Sequence, residues 1–228
     1  MNAVDGTAGA AGADAAPVLD HLVYATPDLD RTVAEVAELT GVRPVRGGSH
    51  PGRGTRNHLL GLGGGGYFEI IGPDPAQPAP GRPRWFGIDV LDGPRLVAWA
   101  VRVTGIAGRV ARARAAGHDP GDPVAMSRRT PDGTDLAWQL TPPGADGGLA
   151  PFLLDWGGSP HPSDAGLPVV PLVSLAATHP DPAAARAEWA ALGVRWPGAP
   201  VAAGPVQLTA VLAGRHGPVA FGRGAVAR

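Results

Sequence analysis

The feature that most restricts the fold of this chain is a set of three evenly spaced glycines. Gly41, Gly117 and Gly193 lie 76 residues apart, and each one follows an apolar run and then a short amphipathic segment. Glycine commonly ends a helix, because it adopts the left-handed conformation without strain. Isolated glycines mean little in a chain with 35 of them, but the same two elements before each one predict an internal repeat.

The first repeat is predicted to have the order β-α-β-β-β. Val18 to Ala25 has the composition of a strand, residues 31–40 have the apolar spacing of a helix, and residues 42–50 form a weaker second strand. The apolar runs 58–62 and 67–71 flank a four-glycine link. This link predicts a hairpin, because glycine supplies the positive φ that a tight reversal needs.

Residues 17–160 are predicted to form two such units, and residues 168–224 a third, partial unit packed on the same domain. The Pro- and Gly-rich segment 73–93 is predicted to be a surface linker, and residues 1–16 a disordered tail. The predicted fold is α+β, with a curved, mostly antiparallel sheet around a cavity. The later elements are predicted as strands at 96–103, 124–128, 135–140, 149–156, 172–177, 206–212 and 218–221 and helices at 106–116 and 183–192.

Composition excludes several classes of function. The formal net charge is −1, which argues against nucleic acid or a membrane surface as a partner. There is no cysteine, so a disulfide, a thiolate metal site and a cysteine nucleophile are excluded. No apolar run approaches the about 18 residues of a membrane helix, and the first residues lack the pattern of a signal peptide. We therefore expect a cytoplasmic protein that binds a small molecule.

Glu69 is the most informative candidate for a site. It stands between Phe68 and Ile70 in a predicted strand, and a charge there is costly unless it is paired, bound to a metal or facing water. We interpret Glu69 as pointing into a cavity and working with His21 of the first strand. The alternative is a structural ion pair with an arginine such as Arg56.

Further residues are predicted to contact the substrate. They are either polar groups in loops and in the third strand, where Asn57 shares the side of Thr55 by strand alternation, or aromatic groups that can form a pocket wall. The predicted substrate-binding residues are His50, Thr55, Asn57, Trp138, Phe152, Trp156 and His161.

Several stretches together resemble a known superfamily. They are the segments 19–24, 47–51, 54–57, 67–75, 131–133, 151–156 and 161–162, with Trp138. Over about residues 18–200 the chain resembles the vicinal-oxygen-chelate superfamily of glyoxalase I, extradiol dioxygenases and bleomycin-resistance proteins. It looks most like the glyoxalase-like domain branch. The resemblance implies a lyase, an isomerase or a dioxygenase, or alternatively a non-catalytic protein that sequesters an antibiotic-like molecule, and it leaves a homodimer open.

The resemblance also implies a divalent metal (Zn, Fe, Mn or Ni) held by one His or Gln and one Glu from each unit. His21 and Glu69 provide only half of that set. The residues opposite them in the later units are not such ligands: Val97 or Trp99, Val173 or Ser174, and Leu153. The half-site would need His50, His58, His161 or Asp155 to complete it. His21 and Glu69 are therefore expected to hold a metal or, without one, to act as acid and base.

Overall fold

The computed structural model of the protein describes residues 16–144 and 149–227. The predicted tail lies, apart from Ala16, outside the described residues. Two halves with the same order of elements come first. The first half contains β1 (Val18–Ala25), α1 (Leu29–Thr40), β2 (Val45–His50), β3 (Thr55–Gly63) and β4 (Gly66–Pro73); the second contains β5 (Arg95–Arg102), α2 (Ile106–Ala115), β6 (Val124–Arg129), β7 (Asp135–Leu140) and β8 (Phe152–Asp155).

The eight strands of the two halves close into a barrel in the order β1-β4-β3-β2-β6-β7-β8-β5. Within each half the first strand is parallel to the last one, and the other pairs of neighbouring strands are antiparallel. This arrangement confirms the predicted α+β class and the curved, mostly antiparallel sheet around a cavity.

A five-stranded sheet follows the barrel. Its elements are β9 (Leu172–His179), α3 (Pro182–Ala191), β10 (Ala202–Ala203), β11 (Gln207–Gly214), β12 (Gly217–Gly222) and β13 (Gly224–Ala227). The strand order is β10-β9-β11-β12-β13. Phe221 of this sheet packs against Tyr24 and Phe68 of the barrel, so one continuous apolar core joins the sheet to the outer face of β1 and β4.

The three glycines of the repeat all have left-handed backbone angles, with φ of 68° at Gly41, 90° at Gly117 and 68° at Gly193. Each lies at the end of a helix, where other residues would be strained. Aspartates cap the start of the helices: Asp28 accepts the backbone N–H of Arg31, and Asp181 accepts two backbone N–H groups at the start of α3. Local capping thus explains the boundaries of these helices.

Strand alternation divides β4 between two environments. Phe68 and Ile70 point outward into the core shared with the third sheet, whereas Tyr67, Glu69 and Ile71 point into the barrel. The short 3₁₀ helix Trp85–Val90 lies in the linker. Among the described residues no helix is long and apolar enough to cross a membrane.

Candidate active site

The barrel surrounds a cavity of about 780 Å³, a volume that includes its open mouth. Eight of the nine predicted site residues line it, and His161 does not. The first half contributes most of the polar groups, and the second half most of the apolar ones. The lining residues of the first half include His21, His50, Thr55, Asn57, Tyr67 and Glu69, and those of the second include Met126, Arg128, Trp138, Leu140, Phe152 and Leu154.

The linker forms part of the cavity wall, which the sequence did not predict. Its segment 80–88 contributes Trp85, Phe86 and Ile88 to the lining, and Arg84 Nε holds it in place by donating to the Gly54 carbonyl at 2.8 Å. Phe86 has a φ of 62°, a conformation that costs about 1–3 kcal/mol for a residue with a side chain. The surrounding contacts therefore hold the linker against the cavity of the barrel.

His21 and Glu69 meet inside the cavity. Because β1 and β4 are parallel, with Val23 opposite Glu69, the side chains of His21 and Glu69 emerge on the same face. The distance from His21 Nε2 to Glu69 Oε2 is 3.6 Å. Asn57 Nδ2 donates to Glu69 Oε1 at 2.5 Å. One carboxylate oxygen is thereby held by the protein, and the other faces His21.

Arg56 does not pair with Glu69. Its Nη2 donates to both carboxylate oxygens of Asp30 at the start of α1, at 2.9 and 2.8 Å. Strand alternation explains the difference, because Arg56 and Asn57 leave β3 on opposite sides. The structural ion pair considered as the alternative role of Glu69 is therefore not formed.

Asp20 is the central residue that the sequence analysis missed. Its side chain is fully buried and accepts three hydrogen bonds, from His21 Nδ1 at 2.6 Å, Trp156 Nε1 at 2.9 Å and His161 Nε2 at 3.0 Å. Burial alone raises the pKa of Asp20, but the hydrogen bonds from His161 and His21 outweigh it and hold the pKa well below its ordinary value. Asp20 is therefore an ionised carboxylate behind His21.

His161 supports this carboxylate from behind the cavity wall. Its Nε2 contacts Asp20, and its Nδ1 lies 2.6 Å from Ser163 Oγ. The 3₁₀ helix Pro162–Ala165 begins at this point and holds the ring away from the lining. The predicted contact between His161 and substrate is thus replaced by a contact with Asp20. An aspartate directly before a candidate histidine was the only signal in the sequence that could have indicated this partner.

Two other ionisable groups in the cavity are kept neutral. Burial lowers the pKa of His50 to about 4, and its Nδ1 lies 3.0 Å from Thr55 Oγ1. Burial, together with the carboxylates of Asp20 and Glu69, raises the pKa of Tyr67 well above its ordinary value. Tyr67 also stacks on His21, with the ring centroids 4.6 Å apart. The carboxylates of Asp20 and Glu69 are thus accompanied by two neutral rings, those of His50 and Tyr67.

The second half lacks the corresponding pair. In the first half Val23 lies opposite Glu69, and in the second half Ala100 lies opposite Phe152. Leu22 of β1 pairs with Trp99 of β5, so superposing the halves about this pair makes Val23 equivalent to Ala100. Phe152 therefore takes the position of Glu69. The same superposition puts Ala98 in the position of His21. The sequence alignments gave Val97 or Trp99 and Leu153 instead, because the spacing differs between the halves: His21 precedes Gly41 by 20 residues, and Ala98 precedes Gly117 by 19.

The donor set of the cavity does not match the metal centre that the resemblance implies. Among residues 16–144 and 149–227, no group of three or more His, Asp or Glu side chains is arranged to hold a metal. Asp155, one of the residues considered to complete the half-site, instead accepts the backbone N–H groups of Gly105 and Ile106 at the start of α2. His21 and Glu69 therefore remain two potential metal ligands that face an apolar wall.

Comparisons with known proteins agree with this architecture. A family model described as glyoxalase-like domain matches residues 19–193. A hypothetical protein from Staphylococcus aureus has a similar structure, with a TM-score of 0.58 and 16% identity over 76% of this chain and 74% of that one. At this identity the match concerns the fold alone.

Two weaker structural matches are methylmalonyl-CoA epimerases. The enzyme from Mycobacterium tuberculosis gives a TM-score of 0.41 and 21% identity over 70% of this chain and 97% of its own. The enzyme from Streptomyces coelicolor, solved with 2-nitronate-propionyl-CoA, gives 0.42 and 18% over 65% and 100%. No curated protein matches the chain significantly.

Proposed function

Because the chain belongs to the glyoxalase-like domain family, as the match over residues 19–193 establishes, we propose that it is an enzyme that moves a proton on a small molecule, an isomerase or a lyase. Glu69 and His21 are its acid–base pair. The observation that carries the proposal is the approach of His21 Nε2 to Glu69 Oε2, 3.6 Å apart inside the cavity. Proton transfer by such positioned groups contributes about 10²–10⁴-fold to a rate.

Asp20 determines which nitrogen of His21 reacts. An ionised carboxylate only accepts hydrogen bonds, so its 2.6 Å contact with His21 Nδ1 assigns a proton to that nitrogen. The neutral ring then presents the lone pair of Nε2 to the cavity. When Nε2 takes a proton from the substrate, the resulting cation is stabilised by the buried charge of Asp20.

Glu69 supplies the second proton-transfer atom. Asn57 holds Oε1 through the 2.5 Å hydrogen bond, and Oε2 is directed towards His21 and the substrate. In the proposed reaction one of the two groups begins unprotonated and the other protonated. The unprotonated group takes a proton from a carbon beside a carbonyl and the protonated group returns its own proton at the new position, so the pair still holds one proton afterwards. Both groups are less than 10% exposed and line the cavity, so a substrate inside the cavity can reach both of them.

The alternative role of His21 and Glu69 is to bind a divalent metal between them, and a dioxygenase activity would require that metal. Two donors bind a divalent ion weakly when no further protein ligands are present. We therefore expect purified protein to contain well below one metal per chain by elemental analysis. Stoichiometric Zn, Fe, Mn or Ni that is lost in both His21→Ala and Glu69→Gln would replace the acid–base proposal with a metal-dependent one.

A non-catalytic binding protein is the second candidate, and the aromatic wall favours it. Trp138 and Trp156 lie side by side, with ring centroids 5.1 Å apart, and Phe86 of the linker faces Phe152 at 6.2 Å. A flat apolar molecule could stack between these rings without any chemistry. Under this alternative, ligand affinity would depend on the tryptophans, and no compound that binds would be turned over.

Hydrogen exchange in D₂O tests the proposal without knowledge of the substrate. Small carbonyl compounds with an acidic C–H, including 2-oxo acids and 2-hydroxy ketones, are incubated with the protein, and loss of the C–H signal is followed by proton NMR. We expect catalysed exchange for at least one compound, and a rate about 10²–10⁴-fold lower in Glu69→Gln and in His21→Ala.

Glu35→Gln is the matched control for this experiment. Glu35 is a carboxylate on the outside of α1 that pairs with Arg31 at 2.8 Å, so its removal should leave the exchange rate unchanged. Full activity in Glu69→Gln would contradict the proposal. If a compound binds but no tested compound exchanges its C–H hydrogen, the non-catalytic binding protein is favoured instead.

A further inference from the structure

Arg128 of β6 is a buried cation that the proposed proton transfer does not use. Its residue is 5% exposed, and its side chain lines the cavity. The only hydrogen bond of its side chain to the described residues runs from Nη1 to Asn57 Oδ1 at 3.4 Å, and its buried Nε has no acceptor there. A guanidinium group has five N–H donors, and leaving a buried charge without a carboxylate partner is costly.

The backbone of β2 is shaped to make room for this guanidinium group. A Cβ atom at Gly47 would lie 2.5 Å from Arg128 Nη1 and 2.3 Å from Asn57 Oδ1. A Cβ atom at Gly48 would lie 2.9 Å from Arg128 Cγ. A side chain at Gly47 would displace the arginine, whereas a Cβ atom at Gly48 would first meet the Arg129 carbonyl oxygen, at 2.1 Å. Gly47 and Asn57 therefore form a seat for the guanidinium group inside the barrel.

Trp138 adds a second donor without an acceptor. Its indole ring lines the same cavity, and its buried Nε1 has no hydrogen-bond partner among the described residues. It belongs to β7, which pairs with β6 so that Met126 faces Trp138 and Arg128 lies two residues further along. Arg128 and Trp138 thus place two hydrogen-bond donors without acceptors on neighbouring strands. A buried donor without an acceptor is costly, so a bound ligand that supplies acceptor oxygens would stabilise both side chains.

We propose that Arg128 and Trp138 bind a carboxylate group of the substrate. A carboxylate accepts two parallel hydrogen bonds from a guanidinium group in a planar arrangement, and this pairing is among the strongest in proteins. The inference rests on the proposed function in one respect, since it identifies the bound molecule with the substrate. The substrate class is then a small organic acid, with its carboxylate at Arg128 and its reactive C–H bond at His21 and Glu69.

The test compares the binding of benzoate and benzamide by isothermal titration calorimetry. The two molecules have nearly the same shape and can both pack on the aromatic wall, but only benzoate carries a charge. We expect the wild-type protein to bind benzoate at least about 10-fold more tightly than benzamide, which corresponds to about 1.4 kcal/mol. In Arg128→Met the two affinities should become equal.

Arg129→Met is the matched control, because Arg129 is the next residue of β6 but is exposed and paired with Asp135 at 2.9 Å. It should keep the preference for benzoate. Should Arg128→Met fail to fold by circular dichroism, Arg128→Lys keeps the charge but loses the two parallel donors, and the preference should then fall at least about threefold. An unchanged preference in a folded Arg128 variant, or no preference in the wild type, would overturn the inference.

Glu69→Gln separates this inference from the proposed function. This variant should keep the Arg128-dependent preference for benzoate even though it loses hydrogen exchange. A wild-type protein that prefers benzoate through Arg128 but exchanges no C–H bond would leave the carboxylate site standing and remove the proposed reaction. Hydrogen exchange that depends on Glu69, in a protein that does not prefer benzoate, would support the proposed reaction and remove the carboxylate site.

Discussion

The two halves of the barrel contain the same elements in the same order, yet they present different inner surfaces. The first half carries His21, Asn57 and Glu69, whereas the second presents Phe152 and Leu154 where its last strand faces the cavity. The outer surfaces differ less, because both halves pack apolar residues beneath a helix. The repeat is thus preserved where it builds the fold and lost where chemistry would occur.

This difference shows how a repeated scaffold can specialise. A buried carboxylate needs partners. Asn57 of the first half holds Glu69, and Asp20 is held by His21 of its own strand and by Trp156 and His161, which follow β8 of the second half. At the position corresponding to Glu69 the second half carries Phe152, which needs none and is stabilised by burial. Arg128 is the exception in the second half, and its missing partner is what distinguishes it from the ionised groups of the first.

The strongest way to break the comparison is to remove the charge on which the first half depends. Asp20→Asn keeps the shape but places an N–H₂ group among donors, so we expect the free energy of unfolding to fall by about 3–5 kcal/mol, measured by urea denaturation. The same change in the second half, Asp155→Asn, should cost less than about 1 kcal/mol, because Asp155 is only half-buried and an asparagine oxygen can still accept the N–H groups of Gly105 and Ile106. Equal losses in the two variants would refute the special role of Asp20.

The same variant should change the acid sensitivity of the protein. The folded pKa of Asp20 lies below its unfolded value, so its contribution to stability is present at neutral pH and is lost as the pH falls below about 4. In Asp20→Asn that part of the acid dependence should disappear. A wild-type and a variant protein with parallel stability curves below about pH 4 would count against the assignment.

The next prediction concerns Phe152 in the second half of the barrel. Phe152 is 4% exposed and touches His21 edge to face, with centroids 5.4 Å apart. Phe152→Ala should lower the free energy of unfolding by about 3 kcal/mol, because it leaves a void. If the half only shapes the pocket, hydrogen exchange should slow by less than about 10-fold in a folded sample. A loss as large as that of Glu69→Gln would show that both halves take part in the chemistry.

The smallest expected effect concerns His50 of the first half and the way in which the free energy of unfolding depends on pH. Burial lowers the folded pKa of His50 to about 4, below the about 6.5 of an unfolded histidine. The unfolded chain therefore binds more protons in this range, so stability falls as the pH drops from about 6.5 towards 4, by on the order of 2 kcal/mol. His50→Gln should flatten the urea-denaturation stability curve between these values. An unchanged slope would mean that His50 does not titrate on unfolding.

Much of the fold could be predicted from local patterns. Gly41, Gly117 and Gly193 end helices because of their own backbone preference, and Asn57 lies on the same side of β3 as Thr55 because strands alternate with a period of two residues. These properties depend on a few neighbouring residues, so they can be inferred from the sequence. The prediction that Glu69 faces a cavity shared with His21 rested on the cost of a charge between Phe68 and Ile70.

Predictions that crossed between elements were less accurate. The expected counterparts of His21 and Glu69 were wrong by one residue, because they assumed equal spacing in the two halves, and the structure gives Ala98 and Phe152 instead. A shift of one residue transfers every side chain of a strand to the opposite face. Such a difference in spacing has no clear signature in the sequence, so the apolar identity of the second half could be anticipated but its exact residues could not.

By itself, the sequence determined the repeated units, the helix boundaries and the direction in which His21 and Glu69 point. Only the tertiary structure decided what surrounds them. Asp20 meets Trp156 and His161 across 136 and 141 residues of chain, and Arg128 meets Asn57 across 71. Backbone preferences act over a few residues and can be read locally, whereas these contacts exist only because the closed barrel brings distant strands to one cavity.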